Sequence, residues 1–158
     1  MGQLPRGRVH MVIVAEEADE HIQGLIRRMH GKYGNQGLSI VLINGTKGYT
    51  RWNASGVLSP AEEAESLRTL VVEHLKLPVT FLVEDVPFQV IPDGRKQYGR
   101  TQWQTRLPAS TSIIGRDGNL DMAFFWAAES EIEAYVKRAI EKSSHGPVQA
   151  GVETKTAE

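Results

Sequence analysis

The chain has 158 residues with 18 basic and 19 acidic side chains, and its formal net charge of −1 provides no overall attraction to nucleic acid or to acidic membranes. Hydrophobic residues make up 41% of the chain, a globular composition in a length that fits one domain with its own core. There is no cysteine, which excludes disulfides, thiolate nucleophiles and cysteine-bound metals.

No apolar run approaches the roughly 18 residues that a membrane-spanning helix needs, so we predict no membrane insertion. The first residues, MGQLPRGRVHMVIV, do not form a secretion signal. We therefore expect a soluble protein. Its compartment stays open between the cytoplasm and, if a leader has been removed, the periplasm.

The first half of the chain predicts a strand, a helix and a second strand. Residues 9–15, VHMVIVA, are a short apolar run typical of a strand covered on both faces. Residues 38–44, LSIVLIN, have the same character. Between them apolar residues recur at helical spacing, at Ile22, Leu25, Ile26, Met29 and Tyr33.

A second helix and a third strand follow a glycine-rich loop at 45–58. Ser59 can cap the helix, Pro60 suits its first turn, and Glu62 can complete a capping box. The helix must end by Leu77 because Pro78 follows. The third strand is predicted at 79–85.

The stretch at 86–107 is irregular and long for a connection, so it either carries function or contains a small element. Two strands are then predicted, the second at 120–126, on either side of a hairpin turn at Asp117-Gly118. A last helix is predicted to start at Ser130, with Glu133 completing a capping box. The polar tail at 143–158 is predicted to be disordered.

This order of elements predicts a single α/β domain over residues 1–142. Alternating strands and helices favour right-handed crossovers and a parallel sheet, to which the final hairpin adds antiparallel strands. The predicted architecture is a three-layer α/β/α sandwich with a mixed, mainly parallel central sheet of about five strands and helices on both faces.

One passage, together with this order of elements, resembles a known family. Leu107-Pro108 precedes the strand TSIIG, and the turn Arg116-Asp117-Gly118 follows it. The passage is similar to that of thioredoxin-like proteins, nearest to the TlpA-type thiol-disulfide oxidoreductases and the peroxiredoxin-like (AhpC/TSA, redoxin) branch. The resemblance extends over residues 7–142, with helix 60–77 and strand 79–85 matching the insertion typical of that branch.

The resemblance implies a cis bond at Leu107-Pro108, facing a Cys-x-x-Cys motif at the start of the first helix. The matching segment here is EEADEHI, 16–22, which contains no sulfur. The two cysteine positions fall near Glu16 and Asp19 in one register, or near Asp19 and Ile22 in another. Carboxylates at a helix start are stabilised by the helix dipole, but they cannot exchange disulfides.

We therefore predict a redox-inactive domain that binds a protein or peptide partner beside Pro108. The groove lies between Ala15–His21 and Arg106–Ala109, and an extended partner would pair with its backbone. The predicted binding residues, in the former redox-site region, are Glu16, Glu17, Asp19, Glu20, His21, Leu107, Pro108 and Ala109.

Two other interpretations stay open. A carboxylate- or histidine-based activity could have replaced the thiols, so that the chain is an oxidoreductase-superfamily member with a divergent, non-thiol site. Alternatively the domain is purely structural, if the loops at 45–58 and 86–107 pack down and leave no groove. We predict no catalytic residue, no cofactor and no nucleic-acid partner, and we leave the oligomeric state open.

The acidic residues with His21 also fit a hard-metal or general-base site, but a dipole-compensated helix start is the favoured interpretation and no metal is predicted. The two long loops carry Trp52, Trp103 and Arg106. Such residues are common at interaction surfaces, so these loops are candidate interaction segments. The alternative is that the tryptophans pin the loops to the core.

Overall fold

The computed structural model describes residues 4–15, 18–46, 59–85, 88–90, 92, 96–98, 110–125 and 127–142. The elements in chain order are β1 (Val9–Ala15), α1 (Glu20–Tyr33), β2 (Leu38–Thr46), α2 (Pro60–Arg68), β3 (Thr80–Asp85), β4 (Phe88–Val90), β5 (Lys96–Tyr98), β6 (Thr111–Ile114), β7 (Leu120–Phe124) and α3 (Glu129–Lys142).

Five strands form one mixed sheet in the order β3-β2-β1-β6-β7. Strands β1, β2 and β3 are parallel, β6 is antiparallel to β1, and β7 is antiparallel to β6. Four of these five strands therefore run in the same direction, and only β6 runs against them. This is the mixed, mainly parallel α/β sheet that the order of elements predicts.

The larger core cluster lies on one face of this sheet, where all three helices of the described residues pack. Met11 of β1 and Leu42 of β2 are fully buried there, together with Ile26 of α1 and Val136 of α3. Each such side chain contributes about 1.5–3 kcal/mol by leaving water. Helix α2 joins the same cluster through Leu67.

A smaller cluster lies on the opposite face of the sheet. It is built from Val12, Val41, Ile43 and Ile114, with Leu4 packed against it. No helix within the described ranges packs on this face. All three predicted helices lie within the described ranges and contribute to the larger cluster, so in this part of the chain the helices cover one face of the sheet and not both as expected.

The second helix changes its winding before it ends. The capping box is present as predicted, since the Ser59 side chain accepts from the Glu62 N–H group while the Glu62 side chain accepts from the Ser59 N–H group. Helix α2 ends at Arg68, and a π-helical segment continues over Thr69–His74. The helical stretch therefore ends before Leu77, as predicted, but the sequence analysis did not anticipate that its last part is π-helical.

The start of the last helix also differs from the prediction. Helix α3 begins at Glu129, one residue before Ser130. The backbone N–H group of Ala128 donates to a Glu131 carboxylate oxygen at 3.0 Å, so Glu131 is the acidic residue that contacts the backbone at the helix start. The predicted capping box of Ser130 and Glu133 was wrong, because the Glu133 carboxylate instead reaches across to α1.

The final hairpin has the predicted turn, and the irregular stretch contains a small element. Strands β6 and β7 pair across Asp117-Gly118, with Gly118 at φ +85°. Strand β7 ends at Phe124 rather than at residue 126. Within the stretch at 86–107, β4 and β5 pair as a separate two-stranded hairpin. Among the described residues, no helix has the length and apolarity needed to cross a bilayer.

Candidate functional site

The amino end of α1 is fixed by a side-chain cap. Asp19 has an extended backbone, and its Oδ1 atom accepts a hydrogen bond from the Ile22 N–H group at 2.8 Å. This bond satisfies one of the N–H groups that a helix start leaves without an intrahelical partner. This geometry agrees with the interpretation that Asp19 belongs to a helix start at which acidic side chains compensate the helix dipole.

The start of β6 lies against the end of β1. The Val14 N–H group donates to the Ser110 carbonyl oxygen at 2.9 Å, extending the ladder in which Ile13 faces Thr111. Ser110 follows Pro108 by two residues, and Val14 precedes Glu16 by two residues. The bond therefore joins the residues that adjoin the two arms of the predicted groove in the sequence, while the arm Arg106–Ala109 itself lies outside the described residues.

Ser110 also joins the end of β7 to this region. Its hydroxyl lies 3.2 Å from the Phe124 carbonyl oxygen and 3.0 Å from that of Phe125, to which it donates. Phe125 follows directly and is 60% exposed. Ser110 is thus bonded to the backbone of a residue whose aromatic side chain is exposed.

The amino ends of α1 and α3 meet through a contact between the side chains of His21 and Glu129. The His21 Nδ1 atom lies 3.5 Å from Oε1 of Glu129, and the His21 side chain is 70% exposed. Arg28 forms a salt bridge to the same carboxylate. Glu129 is therefore held from two positions of α1, and the His21 ring is held at the protein surface.

A second set of contacts links the same helices one turn further along. The carboxylate of Glu133 pairs with Lys32 and accepts a hydrogen bond from the Tyr33 hydroxyl at 3.0 Å. The hydrogen bond from Lys32, followed by that from Tyr33, lowers the pKa of Glu133. Burial, followed by the hydrogen bond to Glu133, raises the pKa of Tyr33. These contacts fix α3 against α1 and thereby set the position of Glu129.

The described residues bring together only part of the predicted site. Asp19, Glu20 and His21 lie at the exposed start of α1. Eight other predicted residues lie outside the described ranges, namely Glu16, Glu17, Trp52, Trp103, Arg106, Leu107, Pro108 and Ala109. Within the described ranges no group of three or more histidine, aspartate or glutamate side chains could hold a metal ion.

Three residues near this region were missed by the sequence analysis. Glu129, Ser110 and Phe125 reach it from other parts of the chain. No sequence spacing links Glu129 to His21, because their contact depends on the packing of α3 on α1. Ser110 is the exception, since its distance from Pro108 in the sequence already places it near that proline.

Comparison with known proteins supports the fold but does not identify an activity or a partner. No family model matches the chain, and no curated protein matches its sequence. The solution structure of a putative thioredoxin from Neisseria meningitidis is 12% identical and matches with a TM-score of 0.52, over 89% of this chain and 81% of its own.

Two further structures have comparable overlap. An uncharacterized conserved protein from Geobacillus kaustophilus is 15% identical with a TM-score of 0.51, over 87% of this chain and 69% of its own. A putative thiol:disulfide interchange protein DsbE from Chlorobium tepidum is 16% identical with a TM-score of 0.49, over 85% and 82% of the two chains.

The fold is thioredoxin-like, as the order of elements and the proline-strand-turn passage predicted. The chain contains no cysteine, so it is a thioredoxin-like α/β domain without a Cys-x-x-Cys motif. At these sequence identities the structural likeness defines the fold and not the activity.

Proposed function

We propose that this chain is a redox-inactive thioredoxin-like domain that binds an extended segment of a protein or peptide partner. The binding groove runs between Ala15–His21 and Arg106–Ala109. The observation that carries the proposal is the 2.9 Å hydrogen bond between the Val14 N–H group and the Ser110 carbonyl oxygen. It joins the strand ends from which the two arms of the groove continue.

The redox part of the proposal rests on composition. Thiol-disulfide exchange proceeds by attack of a thiolate on a disulfide sulfur. A chain without cysteine supplies neither the nucleophile nor the mixed disulfide. At the start of α1, Asp19 serves as the helix cap.

The binding part rests on the exposed side chains at the start of α1 and at the end of β7. An extended peptide gains affinity from backbone hydrogen bonds, and side chains along its path determine specificity. His21 offers a polar ring that is 70% exposed, and Phe125 offers an apolar ring that is 60% exposed. We therefore expect a partner segment with at least one apolar side chain, which would contact Phe125.

The test uses peptides selected from a random displayed library and titrated into the 15N-labelled protein. We expect amide shifts at Val14, Asp19, His21 and Ser110, with no shift at Gly118 at the opposite end of β6. His21→Ala should weaken binding. His30→Ala, which removes another exposed histidine of α1, should leave it unchanged. A selected peptide that shifts only other regions, or a library that yields no binder, would contradict the proposal.

A second candidate function is an enzyme with a non-thiol site, favoured by the contact between His21 and Glu129. A carboxylate that orients a histidine ring is a common element of general acid–base catalysis. Insulin reduction and peroxide turnover assays distinguish the candidates. Activity that is lost in His21→Ala but retained in His30→Ala would replace the binding proposal with the enzymatic one.

A further inference from the structure

Two arginine side chains meet at the end of the sheet where β1 begins and β6 ends, opposite to the proposed groove. The Gly7 N–H group donates to the Arg116 carbonyl oxygen at 3.0 Å, so the chain entering β1 lies beside the chain leaving β6. From these positions the guanidinium groups of Arg8 and Arg116 both reach the turn at 34–38, which links α1 to β2. The two cations therefore share one small area of the surface.

The described part of the chain uses little of the hydrogen-bonding capacity of these two groups. The Nη2 atom of Arg8 lies 3.5 Å from the Gly34 carbonyl oxygen and 3.4 Å from that of Leu38. The Nη2 atom of Arg116 lies 3.3 Å from the Gln36 carbonyl oxygen. These distances exceed the roughly 2.7–3.2 Å of ordinary N–H···O hydrogen bonds, and a guanidinium group has several further N–H donors. Most of these donors therefore remain available to a ligand.

Arg116 has a further unsatisfied group. Its Nε atom is buried and has no hydrogen-bond partner. A buried donor without an acceptor is unfavourable. If the side chain turned toward a ligand, it would give up one long hydrogen bond and would release Nε from this position. The present position of the Arg116 side chain is therefore easily exchanged for one that contacts a ligand.

The charge of these arginines is not neutralised by acidic side chains. Within the described ranges neither guanidinium group has a carboxylate at salt-bridge distance. The acidic residues that follow β6 have other partners, since Asn119 donates to Asp117 and Lys142 pairs with Asp121. The neighbouring Arg6 adds a third, exposed cation. This area is therefore positively charged, although the whole chain has a net charge of −1.

The end of α1 explains only part of this arrangement. The carboxyl end of a helix attracts cations, so α1 favours positive charge beside its last carbonyl groups. That effect does not require planar groups with several donors, and it leaves most of the guanidinium N–H groups without an acceptor. An anionic ligand would supply acceptors for these groups.

We propose that Arg8 and Arg116, with Arg6 beside them, bind the phosphate group of a small phosphate monoester. Such a group carries about two negative charges at pH 7 and three acceptor oxygens. Guanidinium groups bind phosphate oxygens through pairs of parallel hydrogen bonds, and two guanidinium groups match this charge. A carboxylate has less charge and fewer oxygens, so it would engage fewer donors.

The phosphate site goes beyond the proposed peptide binding and is independent of it. The two sites lie at opposite ends of β1 and β6 and have no residue in common. Failure of phosphate binding would leave peptide binding at the groove untouched, and failure of peptide binding would leave the phosphate site untouched.

The test is a titration of the 15N-labelled full chain with phenyl phosphate, inorganic phosphate and acetate at constant ionic strength. Phenyl phosphate should produce saturable shifts of the Arg116 Nε–H signal and of the amide of Gly37, which lies against the Arg116 guanidinium group. Inorganic phosphate should shift the same signals. Acetate should require concentrations about tenfold higher, because it loses at least one charge-assisted hydrogen bond.

Substitutions assign the binding to these side chains. Arg8→Gln and Arg116→Gln should each weaken phenyl phosphate binding about tenfold or more, the value of one lost charge-assisted hydrogen bond. Arg116→Lys keeps the charge but lacks the planar group, so it should also weaken binding. Arg68→Gln, which removes an exposed arginine of α2, serves as the control and should bind like the natural chain.

Circular dichroism spectra establish that each variant is folded. The exposed position of Arg8 makes Arg8→Gln the safest variant in this respect. The proposal is overturned if phenyl phosphate produces no saturable shift, if acetate binds as tightly as phenyl phosphate, or if Arg8→Gln binds as tightly as Arg68→Gln.

Discussion

The hydroxyl of Tyr33 donates a hydrogen bond to Oε1 of Glu133 at 3.0 Å, joining the end of α1 to the first turns of α3. The Tyr33 residue is only 4% exposed, and its ring packs in the larger core cluster. The bond belongs to the contacts that hold α3, and with it Glu129, beside the start of α1.

Replacing Tyr33 with phenylalanine should lower the free energy of unfolding by about 1 kcal/mol, the usual net value of one such hydrogen bond. Urea denaturation monitored by circular dichroism measures the change. Tyr135→Phe, on α3, provides a matched control with a smaller expected loss, because the Tyr135 ring contact with Phe124 survives the substitution. Equal losses in the two variants would contradict the stabilising role assigned to the hydrogen bond between Tyr33 and Glu133.

The same contacts predict a pH dependence. The pKa of Glu133 is lowered in the folded state. The contribution of its carboxylate to the free energy of unfolding is therefore complete above the ordinary pKa near 4.5, and it is lost as the pH falls through the lowered pKa. The difference in unfolding free energy between the natural chain and Glu133→Gln should therefore be present at pH 7 and vanish in acid. A difference that persists unchanged at low pH would rule out an ionic contribution.

Asp19 should be replaceable by asparagine but not by alanine. Asparagine caps a helix about as well as aspartate, whereas loss of the cap costs about 1 kcal/mol. We expect Asp19→Ala to show that loss in urea denaturation and Asp19→Asn to remain close to the natural chain. If both variants lost stability equally, the charge rather than the capping hydrogen bond would be the stabilising feature.

Lys76 is strained where the π-helical segment ends. It has φ +48°, the one non-glycine residue with a positive φ in the described chain. The left-handed region is unfavourable for residues with a Cβ atom, so Lys76→Gly should raise the free energy of unfolding by about 0.5–1 kcal/mol. Lys137→Gly, inside α3, should instead lower it by about 1 kcal/mol. Destabilisation by Lys76→Gly would contradict the assigned backbone conformation.

The sheet could be predicted from sequence because its signals are local. The apolar runs of β1 and β2, the capping residue Ser59 and the Asp117-Gly118 turn each determine a short stretch of chain. Their order then restricts the topology to a few arrangements. The π-helical segment at Thr69–His74 carried no local signal and was missed.

The candidate site was harder to predict because its contacts join distant parts of the chain. Glu133 has the correct spacing from Ser130 for a capping box, but tertiary contacts with Lys32 and Tyr33 determine its position. Likewise Glu129 reaches His21 only because α3 packs on α1. Local rules describe each helix start by itself and do not include a competing partner on another helix.

The peptide bond before Pro108 provides the most direct test of the proposed groove. In 13C-labelled protein, the separation between the proline Cβ and Cγ chemical shifts distinguishes the cis from the trans isomer. Pro108→Ala, which removes one set of proline signals, supplies the assignment. The account predicts a cis bond at Leu107-Pro108, with its signals shifting when a selected peptide binds. A trans bond, with proline signals that do not shift when any selected peptide binds, would contradict the account.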